Sequence, residues 1–135
     1  MCNIVGPNGK RTVSVEEFCL SPGKNVLQPG ELLVSIQIPP NKKNQGGHYQ
    51  RFIPRNEMDI AVVGAGVSVN IASGKFTAAK VSLASVAPTP ISVPDAISAL
   101  VGESVGEGPI QNAANAAKEA AKPISDMRGT VEYRK

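Results

Sequence analysis

Thiols and imidazoles, the side chains that most often ligate a transition metal, are few: Cys2, Cys19 and a single histidine, His48. The two cysteines stand too far apart for a CxxC pair, and one histidine cannot complete a zinc constellation with them. Nor does a nucleophile, base and orienting acid assemble, because nothing marks one serine among many beside that lone His48. Two glycine-containing runs invite a phosphate reading. Gly64-Ala65-Gly66 follows Val62-Val63, yet position 69 is Val where a dinucleotide fold needs its third glycine, and the apolar alternation runs on through the glycines as a strand. Close packing of a helix on that face is the expected reason for the glycines. Gly6-Pro7-Asn8-Gly9-Lys10 lacks the Walker spacing and reads as a hairpin turn.

The elements that would position these groups follow from patterning. Asn3-Ile4-Val5 and Arg11 to Val15 form two brief strands around the Pro-Asn-Gly turn. Leu32, Val34, Ile36 and Ile38 alternate with Leu33, Ser35 and Gln37, and the strand stops at Pro39-Pro40. His48 to Ile53 returns as a strand, and His48 beside the preceding loop is expected to be solvent-exposed. Val63 to Ile71 alternates apolar with small residues, Ala72-Ser73-Gly74-Lys75 turns, and Phe76 to Val86 completes a hairpin. Ser92-Val93-Pro94-Asp95 reads as a capping box opening a short helix with Ile97, Leu100 and Val101 on one face. Pro109 opens a second helix whose Ile110, Ala113, Ala114, Ala117 and Ala121 form the apolar face. Strands first and helices last give an α+β fold: an antiparallel sheet of three to five strands with two to three helices packed on one face.

Composition agrees with a globular domain. The chain has 135 residues, 41% hydrophobic and 19% charged, with a mean hydropathy of −0.06. Aromatics make up only 4% with no Trp, so Val, Ile, Leu and Ala must fill a shallow core. Thirteen glycines and 11 prolines break the chain into short elements. The formal charge of +3 is small, and the basic pairs Lys10-Arg11, Lys42-Lys43 and Arg134-Lys135 are scattered and not interleaved with aromatics, which argues against nucleic acid. No apolar run approaches a bilayer-crossing length, and the N-terminus lacks a secretory signal, so the expected compartment is the cytoplasm with both thiols reduced.

Five segments in order carry a family resemblance: Leu27 to Ile36 (LQPGELLVSI), Tyr49 to Arg55 (YQRFIPR), Glu57 to Val63 (EMDIAVV), Ala87-Pro88-Thr89-Pro90, and Asp126 to Arg134 (DMRGTVEYR). The chain is identified as similar to the C-terminal part of the FAD-binding medium subunit of the molybdenum hydroxylases, the group of xanthine dehydrogenase, aerobic carbon monoxide dehydrogenase and 4-hydroxybenzoyl-CoA reductase. The resemblance implies that residues 1–38 end an FAD-binding domain and that 39–135 form the C-terminal domain. It implies electron transfer by FAD between two 2Fe-2S clusters of a small subunit and NAD or another acceptor, with molybdopterin in a large subunit. The pyrophosphate-holding segments lie upstream in the family, so at most one wall of a flavin site is expected here, and no catalysis by the chain alone.

Two positions match family residues that touch FAD. Leu33, opposite in direction to Leu32 and Val34, would lie against the flavin ring and exclude water. Arg51 matches a Lys or Arg whose charge would favour the electron-rich reduced ring. Asp59 is expected to turn the chain into the strand at Ile60, and Arg55, Asp126, Arg128 and Glu132 to tie the C-terminal run to the sheet or to a partner subunit. The family continues past Tyr133-Arg134 with another helix, whereas this sequence ends at Lys135, which implies a fragment, a split gene product or a separately made domain. The competing reading is a docking or assembly module of the same complex that does not touch flavin.

Overall fold

A computed structural model describes residues 1–56 and 58–135; Glu57, in the third matching segment, lies outside the described residues. The chain divides into two units, Met1–Pro40 and Asn41–Lys135.

In the first unit, β1 (Cys2–Gly6) and β2 (Gly9–Val13) form the hairpin that the Pro7-Asn8-Gly9 turn dictates, and Gly9 takes φ 108° at its corner. A one-turn helix, α1 (Val15–Phe18), is capped by the Ser14 hydroxyl. It leads to a small ribbon, β3 (Cys19–Ser21) and β4 (Lys24–Asn25). Strand β5 (Leu32–Ile36) then pairs antiparallel with β1, giving the order β2-β1-β5. It ends two residues earlier than the alternation predicts.

In the second unit, β6 (Gln45–Phe52), β7 (Val63–Ala72), β8 (Lys75–Ala84) and β9 (Ile91–Ser92) make a four-stranded antiparallel sheet in sequential order. Ser73 and Gly74, both at positive φ, close the β7–β8 hairpin in the turn whose twist matches its strands. The face carrying Val63, Val69, Val81 and Leu83 packs with α2 (Pro94–Ser98) and α3 (Glu107–Ala120) around buried Phe76, Val93, Ala96, Leu100, Ala113 and Ala121. A last turn, α4 (Val131–Arg134), is capped by Thr130. The molecule is thus the mixed α+β fold read from the pattern.

Three local expectations need correction. Ser92 does not cap α2: it pairs with Ser82 in β9, and Val93 holds the cap position without a side-chain bond. Pro109 does not open α3, which begins at Glu107 after an extended Gly106, where the glutamate meets the positive end of the helix dipole. Gly64 and Gly66 are not glycine for the sake of a helix. The ring of Tyr49 on β6 lies over them: a Cβ on Gly64 would come 2.5 Å from Tyr49 Oη, and one on Gly66 would lie 3.5 Å from Tyr49 Cδ2 and 3.0 Å from Ser82 Oγ.

Candidate functional site

Leu33 belongs to the first unit, on β5 opposite Ile4 of β1. At 36% exposure it is the most covered of the exposed apolar side chains on its strand, and it keeps a face open. What holds its strand is a network absent from the patterning argument. Glu31 enters β5 from a turn with Gly30 at φ 82° and a Gln28 carbonyl–Glu31 amide bond of 2.9 Å. Its carboxylate accepts the Gln28 amide at 2.7 Å and both Nε and Nη2 of Arg11 at 2.7 Å, while Arg11 also donates to the Val26 carbonyl at 2.8 Å. Gly6 leaves the room: a Cβ there would stand 2.6 Å from Glu31 Cγ.

The Arg11 fork, helped by the Gln28 amide, lowers the Glu31 carboxyl to about 2. A depressed carboxylate contributes stability above its unfolded value near 4.5 and loses it as the pH falls through the folded value. The expected result is a Gln28 amide resonance that titrates with a midpoint near 2 and ceases to titrate there in Glu31→Gln, read by two-dimensional NMR. A midpoint between 4 and 4.5 would mean that the fork is open in solution.

Arg51 belongs to the second unit, on β6 opposite Gly64, so it shares the outer sheet face with Tyr49. Its side chain is exposed and forms no ion pair with another described residue. Beside it lies a shallow concavity of about 260 Å³ bordered by Gln50, Arg51, Phe52, Val63 and Ala65. Phe52 meets Tyr133 of α4 edge to face, with ring centroids 6.0 Å apart. His48, opposite Val67, is exposed on the same strand.

Past β6, the Asp59 carboxylate organises the loop. It accepts the Arg55 amide at 2.9 Å and its own neighbour's amide, Ile60, at 3.0 Å, and pairs with Arg55 Nε at 3.5 Å. Burial pushes its carboxyl up, but these bonds outweigh burial and hold it below the ordinary value. Asp59 therefore turns the chain as expected, although the strand it leads to begins only at Val63.

Of the residues expected to tie the C-terminal run to the sheet, Asp126 takes part by holding the Arg134 guanidinium, and the contacts with the sheet are made by Arg134. Arg55 pairs within its own loop, Arg128 pairs with Asp126 two residues away, and Glu132 interacts with Thr130. The tie is Arg134, whose side chain is 5% exposed. Its Nη1 donates to the carbonyls of Val62 and Ser85, each at 3.2 Å, where β7 begins and β8 has ended, and its Nη2 grips Asp126. Arg134 Nε is buried with no partner among the described residues.

A further groove of about 500 Å³ runs between β7–β8 and α3, lined by Val67, Val81, Leu100, Ile110 and neighbouring alanines. Ile110 and Ala114, expected in the core, instead border this open groove. Its lining holds no titratable side chain, so it can take an apolar group but moves no proton. Among the described residues, no three His, Cys, Asp or Glu side chains gather as a metal site, and no helix is long and apolar enough to cross a membrane. The first unit therefore offers an apolar strand, and the second an exposed cation beside packed small residues.

Residues 48–135 match the model of the CO dehydrogenase flavoprotein C-terminal domain. The carbon monoxide dehydrogenase medium chain of Afipia carboxidovorans is 32% identical over 131 residues, 97% of this chain and 45% of that one. The xanthine dehydrogenase FAD-binding subunit of Escherichia coli O157:H7 is 26% identical, with the same coverage of 97% and 45%. Among solved structures, the carbon monoxide dehydrogenase of Hydrogenophaga pseudoflava superposes with a TM-score of 0.94 at 30% identity, over 98% of this chain and 46% of that one. The chain thus spans about half the length of the curated relatives it matches, namely their C-terminal portion. On the domain match and the shared fold, the chain belongs to the family of the CO dehydrogenase flavoprotein C-terminal domain.

Proposed function

We propose that this chain serves as the C-terminal portion of the FAD-binding electron-transfer subunit of a xanthine dehydrogenase-type molybdenum hydroxylase, acting as an oxidoreductase subunit only within its complex. FAD, when bound, would carry electrons from iron-sulfur clusters to an acceptor. Leu33 would cover an apolar part of the ring and keep water off it, and Arg51 would stand near enough to favour its reduced, electron-rich form. The chemistry of the donors fits that role: Leu33 retains an open face, and Arg51 has no described anion to neutralise it. The fit is partial, because Gly64 and Gly66 lie in mid-strand beneath Tyr49 and form no phosphate cradle. The pyrophosphate must be held by polypeptide corresponding to the rest of the relatives' length. The molybdopterin and 2Fe-2S centres belong to the large and small partner subunits. A reducing cytoplasm suits Cys2 and Cys19, both free thiols.

The observation that carries this reading is the exposed Arg51, which pairs with no other described residue, on the small-residue face of β6 and β7. In a reconstituted complex, Arg51→Ala is expected to slow flavin reduction two- to fivefold, the equivalent of about 0.5–1 kcal/mol for an exposed charge, while subunit assembly stays intact. Arg51→Lys should restore most of the rate. Unchanged flavin content and reduction rate in Arg51→Ala would favour the docking-module reading instead.

A further inference from the structure

We infer that Asn8 is a site of spontaneous modification: its side-chain amide is lost to attack by the main-chain nitrogen of Gly9, and the isoaspartyl product loosens the hairpin that holds Glu31. The inference goes beyond the proposed function, because it concerns the lifetime of the contacts that place the strand carrying Leu33.

The first observation is chemical. Of the asparagines in the chain, only Asn8 precedes a glycine; Ile, Val, Lys, Gln, Glu or Ala follows each of the others. A side chain on the following residue crowds the approach of its nitrogen to the asparagine amide carbon, and glycine has none. Asn8 and Gly9 are both exposed, and a Cβ on Gly9 would meet nothing within 4 Å, so water reaches the peptide between them. The Asn8 side chain makes no hydrogen bond to a described residue that would hold its amide back. Asn3, Asn25 and Asn70, in contrast, are tied to Ser35, Leu27 and Lys43.

The step needs no co-reactant but water. The Gly9 nitrogen bonds to Asn8 Cγ, the Cγ–Nδ2 bond breaks, and the amide leaves as ammonia with the proton that the Gly9 N–H gives up, which closes a succinimide ring. Water then opens the ring at either carbonyl. Opening at Cγ gives aspartate. Opening at the main-chain carbonyl gives isoaspartate, whose main chain runs through Cβ and Cγ and is one atom longer. Either product adds a carboxylate, so the formal charge of +3 falls by one.

The second observation is that the hairpin requires this glycine and cannot absorb the extra atom. Pro7 and Asn8 stay at negative φ, so Gly9 alone, at φ 108°, carries the turn through the region that side chains disfavour. One added main-chain atom between Gly6 and Gly9 breaks the register of the pairs Gly6–Gly9, Val5–Lys10 and Ile4–Arg11. That ladder carries the Glu31 contacts. A Cβ on Gly6 would stand 2.6 Å from Glu31 Cγ, one on Gly30 would stand 3.0 Å from Pro7 Cγ, and Arg11 clasps the Glu31 carboxylate. The Gly30-Glu31 turn leads directly into β5 and Leu33.

The test incubates the full chain warm at mildly alkaline pH and follows it by peptide mass spectrometry and by labelling with an isoaspartyl methyltransferase. The wild-type chain is expected to gain about 1 Da at Asn8, with isoaspartate among the products. Asn8→Gln, whose longer side chain closes a larger and less favoured ring, should react about tenfold or more slowly. In the isoaspartyl fraction the Gln28 amide resonance should titrate near the unfolded carboxyl value of 4.5 instead of near 2. Asn8→Asp, which adds the charge without the main-chain atom, should keep the midpoint near 2. An Asn8 that stays intact overturns the inference, and a synthetic peptide of the same turn that deamidates meanwhile would show that the folded hairpin shields it. Loss of another asparagine's amide ahead of Asn8 overturns it as well. So does a midpoint that stays near 2 in the isoaspartyl fraction, or that rises equally in Asn8→Asp, which would make charge the cause and not the lengthened main chain.

Discussion

Arg134→Met is expected to destabilise the second unit by about 3 kcal/mol, the lower end of the range for breaking a buried ion pair. The lower end applies because Asp126 keeps 29% of its side chain in solvent and can recover some hydration. Methionine retains much of the volume, so what is lost is chiefly polar: Val62 and Ser85 lose their bonds to the guanidinium, and Asp126 loses a partner. For a unit running from Asn41 to Lys135, this corresponds to a fall in melting temperature of roughly 12–24 °C by circular dichroism. The acid limb separates this from simple packing. Asp126 is held below its ordinary carboxyl value first by the Arg128 amide, against the opposing effect of burial, and then by the Arg134 and Arg128 guanidinium groups. A depressed carboxylate stabilises the fold above its unfolded value near 3.8 and ceases to do so as the pH falls through its folded value. The Met variant lacks the Arg134 share, so the gap between its stability and that of the parent should narrow below pH 4. A melting shift of only a degree or two at neutral pH would mean that Arg134 is solvated.

Phe76→Ala should cost about 3–5 kcal/mol, the usual range for truncating a buried Phe. Phe76 is 4% exposed and fills the space among β8, Leu100 and the alanine face of α3. Its main chain is held independently, by bonds to the Glu103 carbonyl at 3.0 Å and from the Gly102 amide at 2.8 Å, so truncation removes the ring and leaves the strand in place. Relaxation is poor because its neighbours on α3 are alanines with no side chain to extend into the gap. A core with few aromatics has no second ring to share the load. In urea the midpoint should fall at unchanged slope, the mark of lost stability without a changed unfolded state. Phe76→Leu should recover most of the loss, leaving a deficit of about 1 kcal/mol.

The hairpin of β7 and β8 was legible because two local signals agree: an apolar residue at each odd position from Val63 to Ile71, and Ser73-Gly74 where both residues must take positive φ. Ser92 misled because the same residue type that caps helices also sits comfortably in a strand, and pairing with Ser82, ten residues back, decided between them. Arg134 was invisible for a stronger reason. A cation one position from the end of a sequence has the local signature of a solvated side chain, and its burial depends on carbonyls 72 and 49 residues away that only the folded sheet assembles. The Arg11–Glu31 fork is hidden in the same way by a separation of 20 residues. As for the candidate site, Leu33 and Arg51 are ordinary residues of a strand and a sheet face. Family resemblance singled them out; periodicity and spacing alone could not.

The placement of Tyr49 and Tyr133 gives the protein a built-in optical probe. With no tryptophan and two tyrosines, its near-ultraviolet emission arises from rings that both lie on or against β6: Tyr49 within the strand, Tyr133 touching Phe52. Arg51 lies between Tyr49 and Phe52 in sequence, and both tyrosines are more than half exposed. Any chromophore that settles on this strand and absorbs where tyrosine emits will therefore quench the fluorescence of the whole chain at once, with no label introduced.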